Sequence, residues 1–402
     1  MIDVDDLARD PNPLAACYAH FRVAERLLFT GHSHQAWPDR AADGQRRAFD
    51  DAAALVDAKW QRAFEQAERV QSGFAGLLGD SGPEIGSAAG SYALAQNTHD
   101  LLVRWLSALP LRQRPRLVTT DGEFHSIRRQ LQRLEEEGVE VVRVPSACPD
   151  VIAERLAAAV DDRTAAVLAS TVLFRDAAIV PGLGLACAAA RRVGAEMLVD
   201  TYHHLNVVPC DLHAEELGEA FVVGGGYKYC QLGEGNCFLR VPPGRDLRPV
   251  VTGWFAEFED LTATAPGRVG YGAGAAAFTG ATYDPTSHYR AAAVFDFFTD
   301  AGLDVPRLRR ISRHQVERLT RGVDALDTDP RLLRRSDRPL DRVGGFLALE
   351  TPRAEDLHAA LAARGVATDF RGDSLRFGPA PYHSDRQIDD ALAALGEAVR
   401  EL

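Results

Sequence analysis

Short apolar segments alternate with segments of helical periodicity between residues 116 and 241, and this alternation limits the possible folds more than any other feature of the sequence. Apolar strands that alternate with helices are typical of a parallel sheet covered by helices on both faces. The sequence therefore predicts an α/β fold. The predicted strands comprise residues 116–119, 139–144, 165–170, 195–199, 221–223 and 236–241.

Two consecutive predicted strands lead to side chains with reactive groups, a carboxylate and an amine. The first strand leads into Asp200, and the second leads through three glycines and Tyr227 into Lys228. Ligands of open α/β sheets bind outside the carboxyl ends of the strands, so both side chains belong to the expected binding edge. Lys59 is the only other lysine of the chain. A lysine amine, unlike a guanidinium, can lose its proton and form a Schiff base.

This pair of side chains suits pyridoxal 5'-phosphate (PLP). PLP needs a lysine that carries it as an imine, and a carboxylate that keeps the pyridine nitrogen protonated so that the ring can withdraw electrons. The glycines at 224–226 allow the backbone to approach a ligand, and their spacing differs from that of a P-loop. The alternative is a surface lysine in a glycine-rich turn. The sequence predicts PLP bound by Lys228 and Asp200.

The pattern of the sequence changes near residue 289. Two long helical segments are followed by a smaller block in which short strands and helices mix. This pattern predicts residues 1–288 as an N-terminal segment with a large α/β domain, and residues 289–402 as a small α+β domain.

Composition narrows the choice of partner and compartment. The net charge of −12 makes a nucleic-acid partner unexpected, because no basic stripe compensates for it. The six cysteines form no CxxC pair, the acidic N-terminus lacks a signal-peptide core, and no apolar run is long enough to span a bilayer. We therefore expect a cytoplasmic protein without a membrane or nucleic-acid partner.

Several further motifs occur in order along most of the chain. They are Asp200-Thr201-Tyr202-His203, Tyr227-Lys228-Tyr229, the turn 233–238, Gly253-Trp254-Phe255, and the closing segments 364–371 and 375–382. Together these motifs resemble those of kynureninase, a PLP enzyme of fold type I in the class V aminotransferase superfamily. The resemblance implies a mainly parallel, seven-stranded type of sheet with helices on both faces, a smaller C-terminal α+β domain, and a homodimer with its active site at the interface.

The resemblance implies a role for each residue near the cofactor ring. Lys228 carries PLP and moves the Cα proton, and Asp200 pairs with the pyridine nitrogen. His203 supports Asp200 or a ring substituent, and Tyr227 reaches the phosphate and acts as an acid. Phe124 stacks on the ring. His203 could instead be a polar packing group, and Phe124 could be part of the core.

Further roles concern the phosphate and the subunit interface. Asn97 and Thr98, at a predicted helix start, are implied to bind the phosphate, because helix N-termini attract anions. They could also serve simply as helix caps. Trp254 and Thr282 are implied to reach the site from the neighbouring subunit.

Three residues are candidates for binding the substrate. Arg376 is implied to hold the α-carboxylate through a bidentate pair, although it could be one of many surface arginines. His32 and His34 belong to a segment, 31–38, that is expected to form a mobile loop over the active site. These histidines could ligate a metal, but no carboxylate or cysteine lies at a useful spacing, and no metal site is predicted.

The reaction that the resemblance implies is hydrolytic Cβ–Cγ cleavage of kynurenine or a related β-acyl alanine. Segments 31–38 and 271–284 depart from the kynureninase pattern, so another amino acid substrate stays open. The alternatives are a β-eliminating C–S lyase or an aminotransferase, and a non-catalytic protein that keeps the PLP fold.

Overall fold

The computed structural model describes residues 2–80, 90–260 and 267–402. Most of its strands belong to one central sheet or to a smaller sheet near the C-terminus. The strands that it describes, numbered along the chain, are β1 (Leu27–Leu28), β2 (Tyr92–Ala95), β3 (Arg116–Thr120), β4 (Glu140–Val144), β5 (Thr164–Ser170), β6 (Glu196–Asp200), β7 (Phe221–Gly225), β8 (Cys237–Arg240), β9 (Arg334–Arg335), β10 (Leu347–Glu350), β11 (Val366–Ala367), β12 (Asp369–Arg371) and β13 (Ser374–Phe377).

The α-helices cover both faces of the central sheet and one side of the smaller one. Among the described residues, no helix combines the length and the apolarity needed to cross a membrane. The α-helices are α1 (Arg40–Leu55), α2 (Lys59–Leu77), α3 (Thr98–Ala108), α4 (His125–Glu136), α5 (Ile152–Ala159), α6 (Gly184–Arg192), α7 (Thr286–Asp300), α8 (Val305–Ala325), α9 (Ala354–Ala363) and α10 (Asp385–Arg400).

The central sheet has seven strands in the order β2-β8-β7-β6-β5-β3-β4. The five adjacent strands β4, β3, β5, β6 and β7 are parallel to one another. Strand β8 is antiparallel to both of its neighbours, β7 and β2. Every residue of β5 and β7 is buried, as expected for strands covered by helices on both faces. The predicted mainly parallel, seven-stranded α/β fold is confirmed.

The helical segment before the sheet does not bury the apolar residues that helical spacing would align. The spacing of apolar residues between 39 and about 78 predicts a helix with Phe49 and Val56 on one face, but their exposed fractions are 74% and 69%. The helix ends at Leu55, because Val56 has a φ of 51°. The face of α1 that packs on α7 carries small residues instead, since a Cβ at Gly44 would lie 2.5 Å from the Tyr289 carbonyl oxygen.

The smaller sheet is antiparallel, in the order β12-β13-β10-β9. The chain's N-terminal segment packs on this region, because β1 pairs with β11 and the Asn12 amide donates hydrogen bonds to the carbonyls of Pro381 and His383. Phe29 is buried in the same hydrophobic core as Phe377. The small α+β domain is thus present, and the predicted boundary at 288/289 stays a prediction.

The glycines at the end of β7 are required by packing. A Cβ at Gly224 would lie 2.7 Å from Cδ1 of Leu205. A Cβ at Gly225 would lie 2.7 Å from Sγ of Cys237 and would overlap the phenol oxygen of Tyr202. These contacts bring β7 close to the segment that follows Asp200.

Gly225→Ala is expected to lower the free energy of unfolding by about 1–3 kcal/mol, because the added methyl overpacks a buried contact. Urea titration measures this as a lower midpoint at an unchanged slope. Gly76→Ala is the control, since a Cβ at this helical glycine meets nothing within 4 Å. A Gly225→Ala midpoint equal to that of the parent protein would contradict the packing argument.

Candidate active site

The carboxyl ends of three adjacent parallel strands form the floor of a cavity of about 220 Å³. Ser170 ends β5 and lies in register with Asp200 at the end of β6, and Lys228 follows β7. The cavity brings together most of the residues that the sequence predicts for the cofactor. These are Asn97, Thr98, Phe124, Asp200, His203, Tyr227 and Lys228.

The amine of Lys228 is buried at the centre of this group. Its Nζ lies 2.6 Å from Nε2 of His203, and 4.9 Å and 5.3 Å from the ring centres of Tyr202 and Phe124. Burial lowers the pKa of Lys228 to about 7, although the charge of Asp200 opposes this shift. Burial and the nearby Lys228 hold the pKa of His203 well below its usual value, so the imidazole is neutral. The amine can therefore exchange a proton near neutral pH.

The Asp200 carboxyl is also buried. Its Oδ1 accepts a hydrogen bond of 2.8 Å from the backbone N–H of Tyr202. Burial raises the pKa of Asp200, and this backbone bond and the charge of Lys228 partly offset the rise. A buried carboxylate is stable only with a strong partner, so the position suits a protonated ring nitrogen of a bound cofactor.

The helix N-terminus that lines the cavity suits a phosphate. Helix α3 begins at Thr98, where the Asn97 side chain caps the helix by accepting a 2.9 Å hydrogen bond from the Asp100 N–H. Apart from the thiol of Cys237, the buried Thr98 hydroxyl has no hydrogen-bond partner in the part of the chain that the structure describes. A hydroxyl without a strong acceptor at a helix N-terminus fits an anionic group, so the donors present fit PLP.

Two aromatic side chains bound the space above the Lys228 amine. The Phe124 ring is held edge-on by Phe174, with ring centres 5.3 Å apart. Tyr227 packs between Tyr202, at 5.0 Å, and His34, at 4.7 Å. Burial raises the pKa of Tyr227 to about 12, so its phenol keeps its proton at neutral pH and can donate it.

Arg376 is buried, is not among the residues that line the cavity, and is held by Asp369. Its Nε and Nη2 donate to the two Asp369 oxygens at 2.8 and 2.5 Å, and its Nη1 donates to the Phe174 carbonyl at 2.5 Å. A guanidinium has five N–H donors, and three of them have these partners among the described residues, which leaves two for one carboxylate. The orientation of Arg376 is thus fixed, and its role as the carboxylate anchor stays a prediction.

The two candidate histidines of segment 31–38 have different surroundings. His32 is fully buried, and its Nε2 donates to Asp369 Oδ1 at 2.7 Å. Burial lowers the pKa of His32 to about 4, so it acts as a neutral donor that helps to fix Asp369. His34 is exposed, and its Nε2 lies 3.5 Å from Oε1 of Glu234, which lines the cavity. His32 thus orients Arg376 through Asp369, and a contact between His34 and the substrate stays a prediction.

Trp254 and Thr282 lie outside the Lys228 cavity of their own chain. Thr282 lines a second cavity of about 400 Å³, and Gln96 lines both cavities. The Trp254 side chain is 46% exposed and packs on Phe255. Their predicted role, in the site of a neighbouring subunit, stays a prediction.

Sequence reasoning missed two carboxyls near the site, of which Glu123 is buried and Asp369 is half-buried. Glu123 accepts hydrogen bonds of 2.6 Å from both Thr120 and Ser170, and burial raises its pKa to about 7. Burial alone would raise the pKa of Asp369, but hydrogen bonds from His32 and Arg376 hold it well below its usual value. The signals available were a glutamate directly before Phe124 and an aspartate in the closing segment.

The low pKa of Lys228 has a kinetic consequence in the cofactor-free protein. Only the neutral amine captures an aldehyde, so capture of added PLP should accelerate up to about pH 7 and then level off. An unperturbed lysine would accelerate up to about pH 10. Stopped-flow absorbance measures the rate, and Lys228→Ala gives the background from Lys59. A rate that still rises tenfold per pH unit above about pH 8 would contradict the low pKa.

Comparison with known proteins gives one family match and many structural ones. Residues 308–395 match the family described as the kynureninase C-terminal domain. The comparison with curated proteins found no match to the chain.

The solved structures that resemble the protein cover nearly all of it. A lysine-to-alanine mutant of C-DES, with glycine covalently linked to its PLP cofactor, is 17% identical, covers 96% of this chain and 99% of its own, and has a TM-score of 0.81. A cysteine desulfurase from Thermococcus onnurineus NA1 is 16% identical over 100% of this chain and 99% of its own, with a TM-score of 0.78. The cysteine desulfurase CsdA from Escherichia coli is 16% identical over 98% and 99%, with a TM-score of 0.76.

At these identities the structural likeness shows the fold, and it agrees with the seven-stranded sheet and the small C-terminal domain. The family match adds that residues 308–395 are similar to the kynureninase C-terminal domain. The chain therefore has the fold of these PLP-dependent enzymes, and its C-terminal region matches that kynureninase domain, in agreement with the resemblance inferred from its motifs.

Proposed function

We propose that this protein is a PLP-dependent enzyme that acts on an amino acid. The observation that carries the proposal is the buried amine of Lys228, which lies 2.6 Å from His203 in a cavity that also contains Asp200. A buried amine with a pKa near 7 has little structural use, whereas a cofactor aldehyde and a base both require one.

The position of each residue around the cavity indicates its role in the reaction. When bound, PLP supplies an electron sink that weakens the bonds at the substrate Cα. Lys228 would hold the cofactor aldehyde and then move the Cα proton, for which its low pKa is suited. Asp200 would keep the ring nitrogen protonated, and Phe124 would limit the space available to the ring. The helix start at Thr98 would bind the phosphate.

Arg376 binds the substrate α-carboxylate through its two unused N–H groups. Asp369 and His32 fix the guanidinium in one orientation, so the anchor loses little freedom when the substrate binds. Tyr227, which keeps its proton at neutral pH, is the donor for the leaving side chain.

We propose hydrolytic Cβ–Cγ cleavage of kynurenine or a related β-acyl alanine as the reaction. The kynureninase-type C-terminal domain over residues 308–395, which includes Arg376, supports this choice. The second candidate is β-elimination that cleaves a C–S bond. It is favoured by the resemblance to C-DES, a cystine C–S lyase, over 93% of this chain with a TM-score of 0.78.

The products separate these reactions. The purified holoenzyme is incubated separately with kynurenine, with cystine and cysteine conjugates, and with common amino donors. Alanine with anthranilate marks hydrolysis, pyruvate with ammonia marks elimination, and conversion to the pyridoxamine form marks transamination, the third possible outcome. If no amino acid changes the cofactor spectrum, the protein is a non-catalytic binder and the proposal fails.

We propose in addition that two copies pair so that the Trp254 region of one completes the site of the other. Large apolar side chains are exposed around this region, which is unusual for a free surface. Trp254→Glu is expected to shift the protein from dimer to monomer in light scattering, and an unchanged mass would count against this interface. The exposed apolar side chains are Val250, Val251, Trp254, Phe258 and Val269.

A further inference from the structure

A second cluster of chemically reactive side chains lies outside the Lys228 cavity, on the segment that follows His203. A ring nitrogen of His204, the sulfur of Cys210 and a carboxylate oxygen of Glu215 all lie within 4.8 Å of one another. One nitrogen, one sulfur and one oxygen donor together form a ligand set that suits a borderline-soft divalent cation.

His204 has the surroundings of a metal ligand before any metal binds. The ring is 3% exposed, and its Nε2 donates a hydrogen bond of 2.9 Å to the Pro209 carbonyl. The neutral ring then carries its lone pair on Nδ1, which is buried and has no partner among the described residues. A histidine that donates one N–H to a backbone carbonyl and keeps the other nitrogen free is the usual arrangement at metal sites.

The loop that carries the other two donors is ordered by its own hydrogen bonds. Asp211 Oδ1 accepts from the backbone N–H groups of His213 and Ala214, at 2.9 and 3.0 Å. Cys210 and Glu215 are half-buried, so a cation can reach them from solvent. In the metal-free chain, the Cys210 thiol hydrogen-bonds to the Glu215 carboxylate.

We propose that His204, Cys210 and Glu215 form a zinc site. Zn²⁺ binds the Cys210 thiolate, a His204 nitrogen and a Glu215 oxygen, and the thiol proton leaves to solvent as the S–H bond is replaced by a Zn–S bond. Zinc bonds are about 2.0–2.3 Å long, so the three donors need to close by roughly 1 Å. A water molecule takes the fourth position.

The position of the cluster gives the site a structural role. His204 follows His203 directly, and His203 contacts the Lys228 amine. A metal that joins His204 to Cys210 and Glu215 ties the 201–208 turn to the loop 210–215. It would therefore restrain the backbone next to His203.

The test uses the full-length, tag-free chain after treatment with a chelator, and Co²⁺ alone is the probe. We expect about one equivalent of Co²⁺ per chain, with a thiolate charge-transfer band and intense tetrahedral d–d bands that lie at longer wavelength than PLP absorption. Added Zn²⁺ should displace the Co²⁺ and abolish these bands. A parent protein that takes up no stoichiometric Co²⁺, or shows no thiolate band, overturns the proposal without any variant.

Variants assign the ligands. Cys210→Ser is expected to abolish the thiolate band. Glu215→Gln is expected to raise the Kd for Co²⁺ by about tenfold or more. Cys148→Ser and His213→Gln are the matched controls, because they remove an exposed cysteine and a histidine beside the cluster. Circular dichroism checks that each variant folds. Retention of the full band by folded Cys210→Ser, or its loss in Cys148→Ser, rules out this ligand set.

Discussion

Lys228→Ala is expected to abolish covalent attachment of PLP and to lower kcat by at least about 10³-fold. The variant loses both the amine that carries the cofactor and the base, and a positioned base alone contributes about 10²–10⁴-fold. Borohydride reduction followed by mass spectrometry measures the attachment. The parent protein should carry one reduced adduct on the peptide that contains residue 228, and the variant should carry none.

Lys59→Ala is the matched control, because it removes the only other lysine and leaves the buried amine in place. Its adduct and its kcat should equal those of the parent protein. A small primary amine added to Lys228→Ala should restore part of the activity, which separates loss of the base from misfolding. A reducible adduct that persists in Lys228→Ala would show that another amine of the chain carries the cofactor.

The strands of the central sheet could be predicted from the sequence to within about two residues, because buried parallel strands are continuous apolar runs. Strand β5, for example, is predicted at 165–170 and found at Thr164–Ser170. Strand β2 was missed. It has only four residues and lies at the edge of the sheet, where its partner β8 is 142 to 148 positions away in sequence, so its pairing depends on long-range contacts.

In the candidate site, too, the residues placed by local sequence pattern could be predicted and those placed by long-range contacts could not. Lys228 and Asp200 could be predicted because each lies at or a few residues beyond the end of an apolar strand, so local pattern alone places them at the same edge of the sheet. The support of Arg376 could not be predicted, because the His32–Asp369 hydrogen bond joins residues 337 positions apart. The role of His32 as a buried donor depends on that contact, and the sequence pattern of segment 31–38 indicates only a loop.

Arg376→Lys is expected to lower kcat/KM for an α-amino acid by about 10²-fold or more. Lysine keeps the positive charge beside Asp369 but cannot donate to Asp369 and to a substrate carboxylate at the same time with fixed geometry. Hydrogen bonds to a charged group contribute about 1.5–3 kcal/mol each, so the loss of one or two of them gives this factor. Steady-state kinetics with an accepted amino acid measures the change.

A substrate analogue that lacks the α-carboxylate tests whether the loss arises at that group. For such an amine, Arg376→Lys and the parent protein should react at similar rates, because no bond to the guanidinium is made. Arg371→Lys is the matched control on strand β12, since Arg371 is half-exposed and lies 3.6 Å from the same Asp369. Asp369→Asn should produce an intermediate loss, because it weakens the orientation of Arg376 without removing its free donors. Equal losses for the amine and the amino acid would mean that Arg376 serves the fold around Asp369 and does not bind the substrate.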